Sequence, residues 1–587
     1  LNNDANSYNI GIGHSAGAVI TTGTNHTLLG ALAGDALTTG EGNVAIGKSA
    51  LSTETTGGKN VAIGARSQED VNNSGNGNNV SVGFESMLNA TTAVGTTAIG
   101  SSAVGGGVMT GDFNTAVGYL SGLDMTSGVE NTLIGGNAGE NLTIGNYNTV
   151  LGYKALQKSV DGDFNTAVGY RALEDYEDGD GNGFNTAIGA SSQLQASTGQ
   201  FNTSLGALSI SVGVMTGDHN TALGYKAGED LVGGHSNVLV GSFTGQSMDS
   251  GLGNVAVGYN ALFTNIDGDG NVAIGTDALK TLEPADGLSY NIAVGYHAGK
   301  LMTTGVGNTI LGGLAGDALT TGAHNVAIGY EALGAEDVGG KNVAIGRRAL
   351  KVLDGVADGF NTVIGYEAGD AVSSGDENTI IGANAGGLIT SGQKNTIIGE
   401  GADVASGGGG VDNAIAIGHD AEALGANTTV IGTGSTTNAI VHGLRKSVNT
   451  TATNVAAARV NNIYNFSDAD GATVTLPDSG DGSMIGASFE FVCSIAATSN
   501  SHKIVCTDTT NELILGALTM VDTDTSDAIV GMAAEVDDSF SAVSFNGTTT
   551  GGRIGTKIKI TNIAADKWFV EGTVLHSGNV ATPFATS

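Results

Sequence analysis

A glycine recurs along this chain at an almost constant interval. Gly13, Gly30, Gly47, Gly64, Gly83 and Gly100 open a series that continues to Gly382, Gly399 and Gly418. Its 24 members define 23 intervals; 16 of these equal the step from Gly13 to Gly30, a spacing of 17, and the other seven are spacings of 18 to 20. None is shorter, so the step from Gly13 to Gly30 is one closed unit and anything beyond it is a loop insertion. The glycine closes a five-residue motif, Asn–Val/Thr–Ala–Ile/Val–Gly, with clear copies at Asn43–Gly47, Asn114–Gly118, Asn254–Gly258 and Asn325–Gly329. Larger blocks return as well: VMTGDFNTAVGY at 108–119 reappears as VMTGDHNTALGY at 214–225. A chain that grows by duplicating short units, each touching only its neighbours, is a solenoid.

The unit is too short for a helical hairpin repeat, which takes about 33 residues or more. Its β-branched residues and glycine stop specify a strand. A second apolar pair begins three residues after the glycine, as at Ala50–Leu51, Ala155–Leu156 and Ala332–Leu333, and predicts a second short strand in each turn. Stacked turns pair strand on strand in parallel at ~4.8 Å, so the series spans roughly 115 Å. An Asn at one place on every turn predicts a ladder of side-chain amide hydrogen bonds along the axis. Glycine after the strand predicts a bend at positive φ, where a side chain would clash.

In Val–Ala–Ile, neighbouring side chains point to opposite faces, and both faces are apolar. One is expected to fill the thin core of the roll. The other, lined by small Ala, then needs another chain against it. So short a coil has little core, and association is the natural remedy. The expectation is a parallel homo-oligomer wound about one axis, a homotrimer.

Composition narrows the classes. Gly accounts for 97 of 587 residues and Pro for 3, which excludes collagen. Apolar residues make up 40%, too many for a disordered chain. The net charge of −35 repels phosphate and argues against nucleic acid as a partner. No run of about 18 apolar residues occurs, so no membrane span is expected. The chain begins at Leu1, close to the first repeat, as a processed or incomplete product would.

NVAIGxxA and NTAVGYxAL resemble the head repeats of trimeric autotransporter adhesins, which are left-handed parallel β-rolls. They are more similar still to the NTAIGYxAL repeats of bacteriophage tail fibres. The resemblance covers residues 9 to about 432, and departs from the adhesins in its longer, 17-residue turn. It implies an extracellular structural fibre or spike protein on a virion surface, a rigid spacer and host-attachment element and not an enzyme. Its partners would be copies of itself, other virion proteins, and a glycan or protein of the host surface. The alternatives are a bacterial extracellular adhesin or surface filament, and a polysaccharide-depolymerising tailspike.

The series stops after residue 432. Residues 433–463, with Arg445, Lys446 and Arg459 interrupting an acidic chain, read as a neck. Residues 464–587 read as a separate all-β domain, an antiparallel sandwich, with strand-like runs such as ASFEFVCSI, HKIVC and KWFVEGTVL. It holds the only tryptophan, Trp568, which is more often core than receptor pocket. Cys493 and Cys506 lie in two runs around the polar segment ATSNSH. An antiparallel hairpin would bring them together, as a disulfide in an extracellular protein or, the favoured reading, as two buried thiols.

Chemistry is sparse. Asp178, Asp180 and Asn182 match the first half of a calcium loop, but the closing Glu falls at Gly189, so a solvated turn is favoured over a calcium site. Asp161–Gly–Asp163 and Asp267–Gly–Asp269 are similar fragments, and GGGGVD at 407–412 is a single copy of a calcium-roll pattern that works in tandem. No other cofactor is indicated. A tyrosine follows the glycine eight times, at Tyr119, Tyr153, Tyr170, Tyr225, Tyr259, Tyr296, Tyr330 and Tyr366. These suit a packing stripe between chains, or a grip on sugars. GHSAG (13–17) and GNVAIGKS (42–49) match a nucleophile elbow and a phosphate loop, but both sit in register on the repeat, without the helix their mechanisms need.

Overall fold

The structure is a computed structural model that describes residues 7–177, 182–284, 287–355 and 358–433. Beyond these it describes 447–451, 462–466, 472–478, 487–493, 502–506, 513–522, 529–534, 542–545, 556–564, 566–576 and 583–585. The chain is all-β, with no helix among the described residues, and divides into two compact units, Leu1–Ala439 and Ile440–Ser587.

The first unit is a parallel β-solenoid. Each motif forms a three-residue strand, and 25 of them make one sheet. Registers run motif on motif: Val44, Ala45 and Ile46 pair with Val61, Ala62 and Ile63. Insertions do not disturb this, because the extra residues all enter one corner. Where the interval is 20, Glu177 N–H still bonds Ser197 C=O on one side of the insertion, and Gly183 N–H still bonds Asp163 C=O on the other. One turn is shorter than the series suggests: Thr429–Ile431 pairs directly with Ile415–Ile417, so the last step of the roll is tighter than any between the series glycines.

The glycines behave as expected, with φ of +138° at Gly241 and +135° at Gly258. Crowding adds a second reason for them. A Cβ on Gly241 would stand 2.5 Å from the carbonyl oxygen of Gly258, one turn on. Backbones therefore stack on backbones with no room for a methyl group between turns.

The second apolar stretch is not a strand in most turns. After Gly47, Ser49 and Leu51 take φ of +59° and +54°, and residues two and four past the glycine do the same in turn after turn. The alternation aims successive N–H groups in opposite directions along the axis. Ser49 N–H bonds Ala31 C=O in the turn before, and Leu51 N–H bonds Ser67 C=O in the turn after. The segment thus satisfies its backbone between turns, as a strand would, while curving tightly enough to close the coil. Regular strands replace it only at the end of the roll, where Asp403–Val404 pairs with Glu422–Ala423.

The strand faces are the reverse of the expectation. The middle residue points inward and is fully buried, as at Ala45, Ala62, Ala167 and Ala256, while Val, Thr and Ile on either side point outward. The thin coil explains this, because its interior already holds the Ala–Leu stretch and leaves room for a methyl group. In several turns where the middle residue is large, the position four past the glycine is Gly. Leu133 faces Gly139, Leu239 faces Gly245, and a Cβ on either glycine would lie 3.0 Å from the leucine Cδ2. In these turns the glycine makes room for the larger middle residue, as close packing demands.

The second unit holds a seven-stranded and a four-stranded sheet on a shared core that includes Phe489, Phe491, Ile504, Val543, Trp568 and Val574. Antiparallel pairings join Ser488–Cys493 to Lys557–Ala564, and the latter to Lys567–His576. Parallel pairings occur too, as between Leu513–Asp522 and Lys567–His576. Ser447–Thr451, within the segment read as a neck, pairs with Asn462–Phe466 in the larger sheet. Arg445, Lys446 and Arg459 lie outside the described residues.

The hairpin expected around the cysteines does not form. Ser488–Cys493 and His502–Val505 belong to different sheets, each pairing with other strands. Cys493 and Cys506 are both buried in the common core, and burial pushes the Cys493 thiol up to about 12.

Candidate functional site: the outward face of the roll

Alternation along each strand separates two kinds of side chain. The motif Asn points inward and is buried on nearly every turn. Its Oδ1 accepts the backbone N–H of the next turn's Asn: Asn254 N–H to Asn237 Oδ1 at 2.9 Å, Asn271 N–H to Asn254 Oδ1 at 2.9 Å. Its Nδ2 donates to a carbonyl further along the chain, as Asn254 does to Gly268 at 2.8 Å. In several turns Nδ2 also reaches the preceding Oδ1, as from Asn254 to Asn237 at 3.1 Å. The expected amide ladder exists, with a backbone N–H as its constant rung.

Two residues before the Asn stands a second ladder. Asp112, Asn146, Asp163, Asp218 and Asp269 each accept, through Oδ1, a backbone N–H one turn earlier, at 2.6 to 3.0 Å. This is where the Asp–Gly–Asp fragments go. Asp163 receives Asn146 N–H at 2.6 Å, and Asp269 receives Leu252 N–H at 2.7 Å. Asn182 is exposed and bridges to Asp163. Asp178 and Asp180 lie outside the described residues.

Outward go the residue before each Asn and the first and third residues of each strand. Through all 25 strands the first is Val, Thr or Ile and the third Ile, Val or Leu, without one charge. Burial is partial: Leu151, Leu205 and Leu311 remain 46 to 47% exposed.

Two aromatic columns border this stripe. The tyrosines after the glycine are all 43 to 60% exposed, and few stack, Tyr153 on Tyr170 at 5.8 Å being one pair. The second column precedes the Asn and went unnoticed in the sequence. Tyr147, Phe164, Phe184, Phe201 and His219 form an unbroken ladder, with centroids 4.8, 4.9, 5.2 and 4.9 Å apart and planes within 13°. The signal was present as Phe or Tyr before Asn at intervals of 17, 20 and 17, but it marks only part of the series.

Charge gathers elsewhere. Glu331 contacts Arg348 at 3.1 Å and Lys351 at 2.9 Å, and Glu367 contacts Arg347 at 2.6 Å. The Lys351 hydrogen bond, with those from Tyr330 and Arg348, lowers the Glu331 carboxyl to about 2. Glu336 occupies a core column that is usually apolar, and burial raises its carboxyl above the ordinary value. It accepts N–H bonds from Gly339 at 2.6 Å and Gly355 at 3.3 Å. Asp337 and Asp354 offer oxygens within 4.8 Å of it, the one acidic triad among the described residues. Both of its oxygens already serve the backbone. The nucleophile-elbow and phosphate-loop matches, Ser15 and Lys48–Ser49, fall on the turns after Gly13 and Gly47, with no helix following.

Strand, ladder and stripe together define a long β-solenoid with one uncharged stripe of strand residues, an architecture that fits a fibre-like or spike-like structural protein. No helix is long and apolar enough to cross a membrane. Comparison with protein-family models, with curated proteins and with solved structures gives no match.

Proposed function

We propose that the chain is a structural fibre or spike protein of a phage virion, working as a homotrimer in which the roll is a rigid spacer. A terminal β-domain then joins a neighbouring virion protein or meets a glycan or protein of the host surface. One observation carries this reading: a stripe contributed by 25 strands holds no charge, on a chain whose net charge is −35. Copies that approach elsewhere meet like charge; along this stripe they do not.

Its size suffices. A stripe roughly 115 Å long and about 10 Å wide offers about 1,100 Å² per chain, beyond the ~800 Å² per partner of a standard interface. β-Branched side chains, stiff at χ1, lose little freedom when covered. The Ala face serves the core, so the seam is the Val/Thr and Ile/Val/Leu face. The acidic remainder keeps a long β-particle soluble, and the resemblance to NTAIGYxAL repeats points the same way.

Light scattering of the purified chain tests the assembly. Three copies of 58.1 kDa are expected, and a stable monomer overturns the trimer. Images of the assembled particle that place the protein in a projecting fibre support the virion role. Its recovery from a bacterial envelope overturns it.

A further inference from the structure

We infer that the aromatic ladder at residues 147–219 sets the axial register between copies of this chain, each ladder meeting the same ladder of a second copy. This rests on the self-association proposed above. The seam alone cannot fix register. Every turn presents a similar pair of uncharged strand residues, so sliding one copy by a turn forfeits only one strand's contacts of 25. A unique assembly needs a feature that does not repeat.

The ladder is such a feature. It occupies five consecutive turns on the outward side of the strands, continuous with the uncharged stripe. The turn before it has Glu130 in the same column, and the turn after has Ser236. A slip of one turn sets Tyr147 of one copy against Glu130 of another, desolvating a carboxylate without a partner.

These five residues take φ of +49° to +59°. The whole column shares this conformation: some turns meet it with residues suited to it, as at Gly42, Gly95, Gly253, Gly270 and Asn78, and others with bulky ones, as at Lys59, Phe113, Tyr290 and Phe360. Bulky residues are held there against local preference. Stacking offsets part of the strain, yet Tyr147, Phe164, Phe184 and Phe201 remain 40 to 46% exposed. Because each inner ring has neighbours on both faces, only ring edges reach outward. A sugar, which packs on ring faces, finds them occupied. An identical row of edges on a second copy fits.

The full chain carrying Ser236→Cys reports the register. Ser236 is exposed, one turn beyond His219 in the same column, and Cys493 and Cys506 are buried and do not compete. Oxidation should link copies through residue 236. Adding Phe164→Ser, Phe184→Ser and Phe201→Ser should cut that linkage about tenfold, equivalent to about 1.4 kcal/mol of register preference, while the trimer mass persists. Tyrosine at the same three positions keeps the rings and should keep the linkage.

Linkage unchanged by the serines, or lost equally with the tyrosines, overturns the inference. So does a trimer that never links through residue 236, or a serine variant that becomes monomeric. A reporter chain that is monomeric without the ladder substitutions overturns the self-association itself, a distinct result.

Discussion

The two units use the same kind of element in opposite ways. In the roll every strand of the long sheet is three residues long and pairs with the next, so a narrow set of residue types per column serves every contact. In the C-terminal unit strands reach ten residues and pair across long stretches of chain: Glu490 lies opposite Lys559, and Leu513 opposite Lys567. The roll's core is mostly Ala, Leu and backbone, whereas the C-terminal core is built on Tyr464, Phe489, Phe491 and Trp568. Periodic contact makes the roll insensitive to which turn is altered but intolerant of change within a column. The C-terminal unit should depend on a few large side chains.

The largest effect is expected where one turn of the roll stacks backbone on backbone with the next. Gly241→Val drives a Cβ into the Gly258 carbonyl, 2.5 Å away, at a φ of +138°. The loss should be about 5 kcal/mol or more. Because turns touch only neighbours, hydrogen exchange should rise in the flanking turns and leave the C-terminal unit protected. Opening of the whole chain together would break the comparison.

Trp568→Ala is the matching test on the other side. Trp568 is fully buried, with its ring 5.7 Å from that of Phe489. Its removal should cost about 4 kcal/mol, lowering one calorimetric transition and leaving the roll's transition in place.

Asparagine gives a finer contrast. Asn254→Ala strands the buried Asn271 N–H and the Gly268 carbonyl, for about 3 kcal/mol by thermal melting. Asn562 is equally buried, but its Nδ2 bonds Ala564 and Lys567 within one turn of chain, at 3.1 Å each. Asn562→Ala should cost about 1 kcal/mol. Equal losses would remove the distinction between a ladder and a local cap.

What could be read in advance follows the same division. The glycine interval gave the turn, and Asn gave the ladder, because each position is held almost throughout by one residue type for one physical reason. Which strand face lies inside was misread, since period-two alternation separates faces without naming the buried one when both are apolar. The positive φ values at Ser49 and Leu51 carry no signature in residue type; they arise from closing the coil. Partners of the C-terminal strands were illegible because runs such as HKIVC specify a strand and say nothing of what lies opposite. The Phe column was missed because its unbroken run covers five turns and the glycine series covers all.

The smallest effect concerns two carboxylates five residues apart with opposite pH dependence. Glu331 is lowered from 4.5 to about 2 by its hydrogen bond to Lys351, helped by Tyr330 and Arg348. The unfolded chain binds the proton more readily, so its contribution is present above about pH 4.5 and is lost as pH falls towards 2. It lies near the surface, where screening keeps the effect small. Glu336 is raised by burial, with Asp354 and Asp337 adding to the shift and the N–H bonds from Gly339 and Gly355 opposing it. The folded chain then binds the proton more readily, so Glu336 costs stability above its folded value and the cost fades as pH falls to the ordinary value of 4.5. Glu331→Gln should therefore destabilise at pH 7 and have no effect near pH 2, while Glu336→Gln should be neutral or stabilising at pH 7 and lose that advantage on acidification. Melting curves of both variants between pH 7 and pH 2 decide this. If Glu336→Gln destabilises most at neutral pH, the charged carboxylate is required by the backbone N–H groups it receives, and the substitution in the core column is one of charge and not of shape.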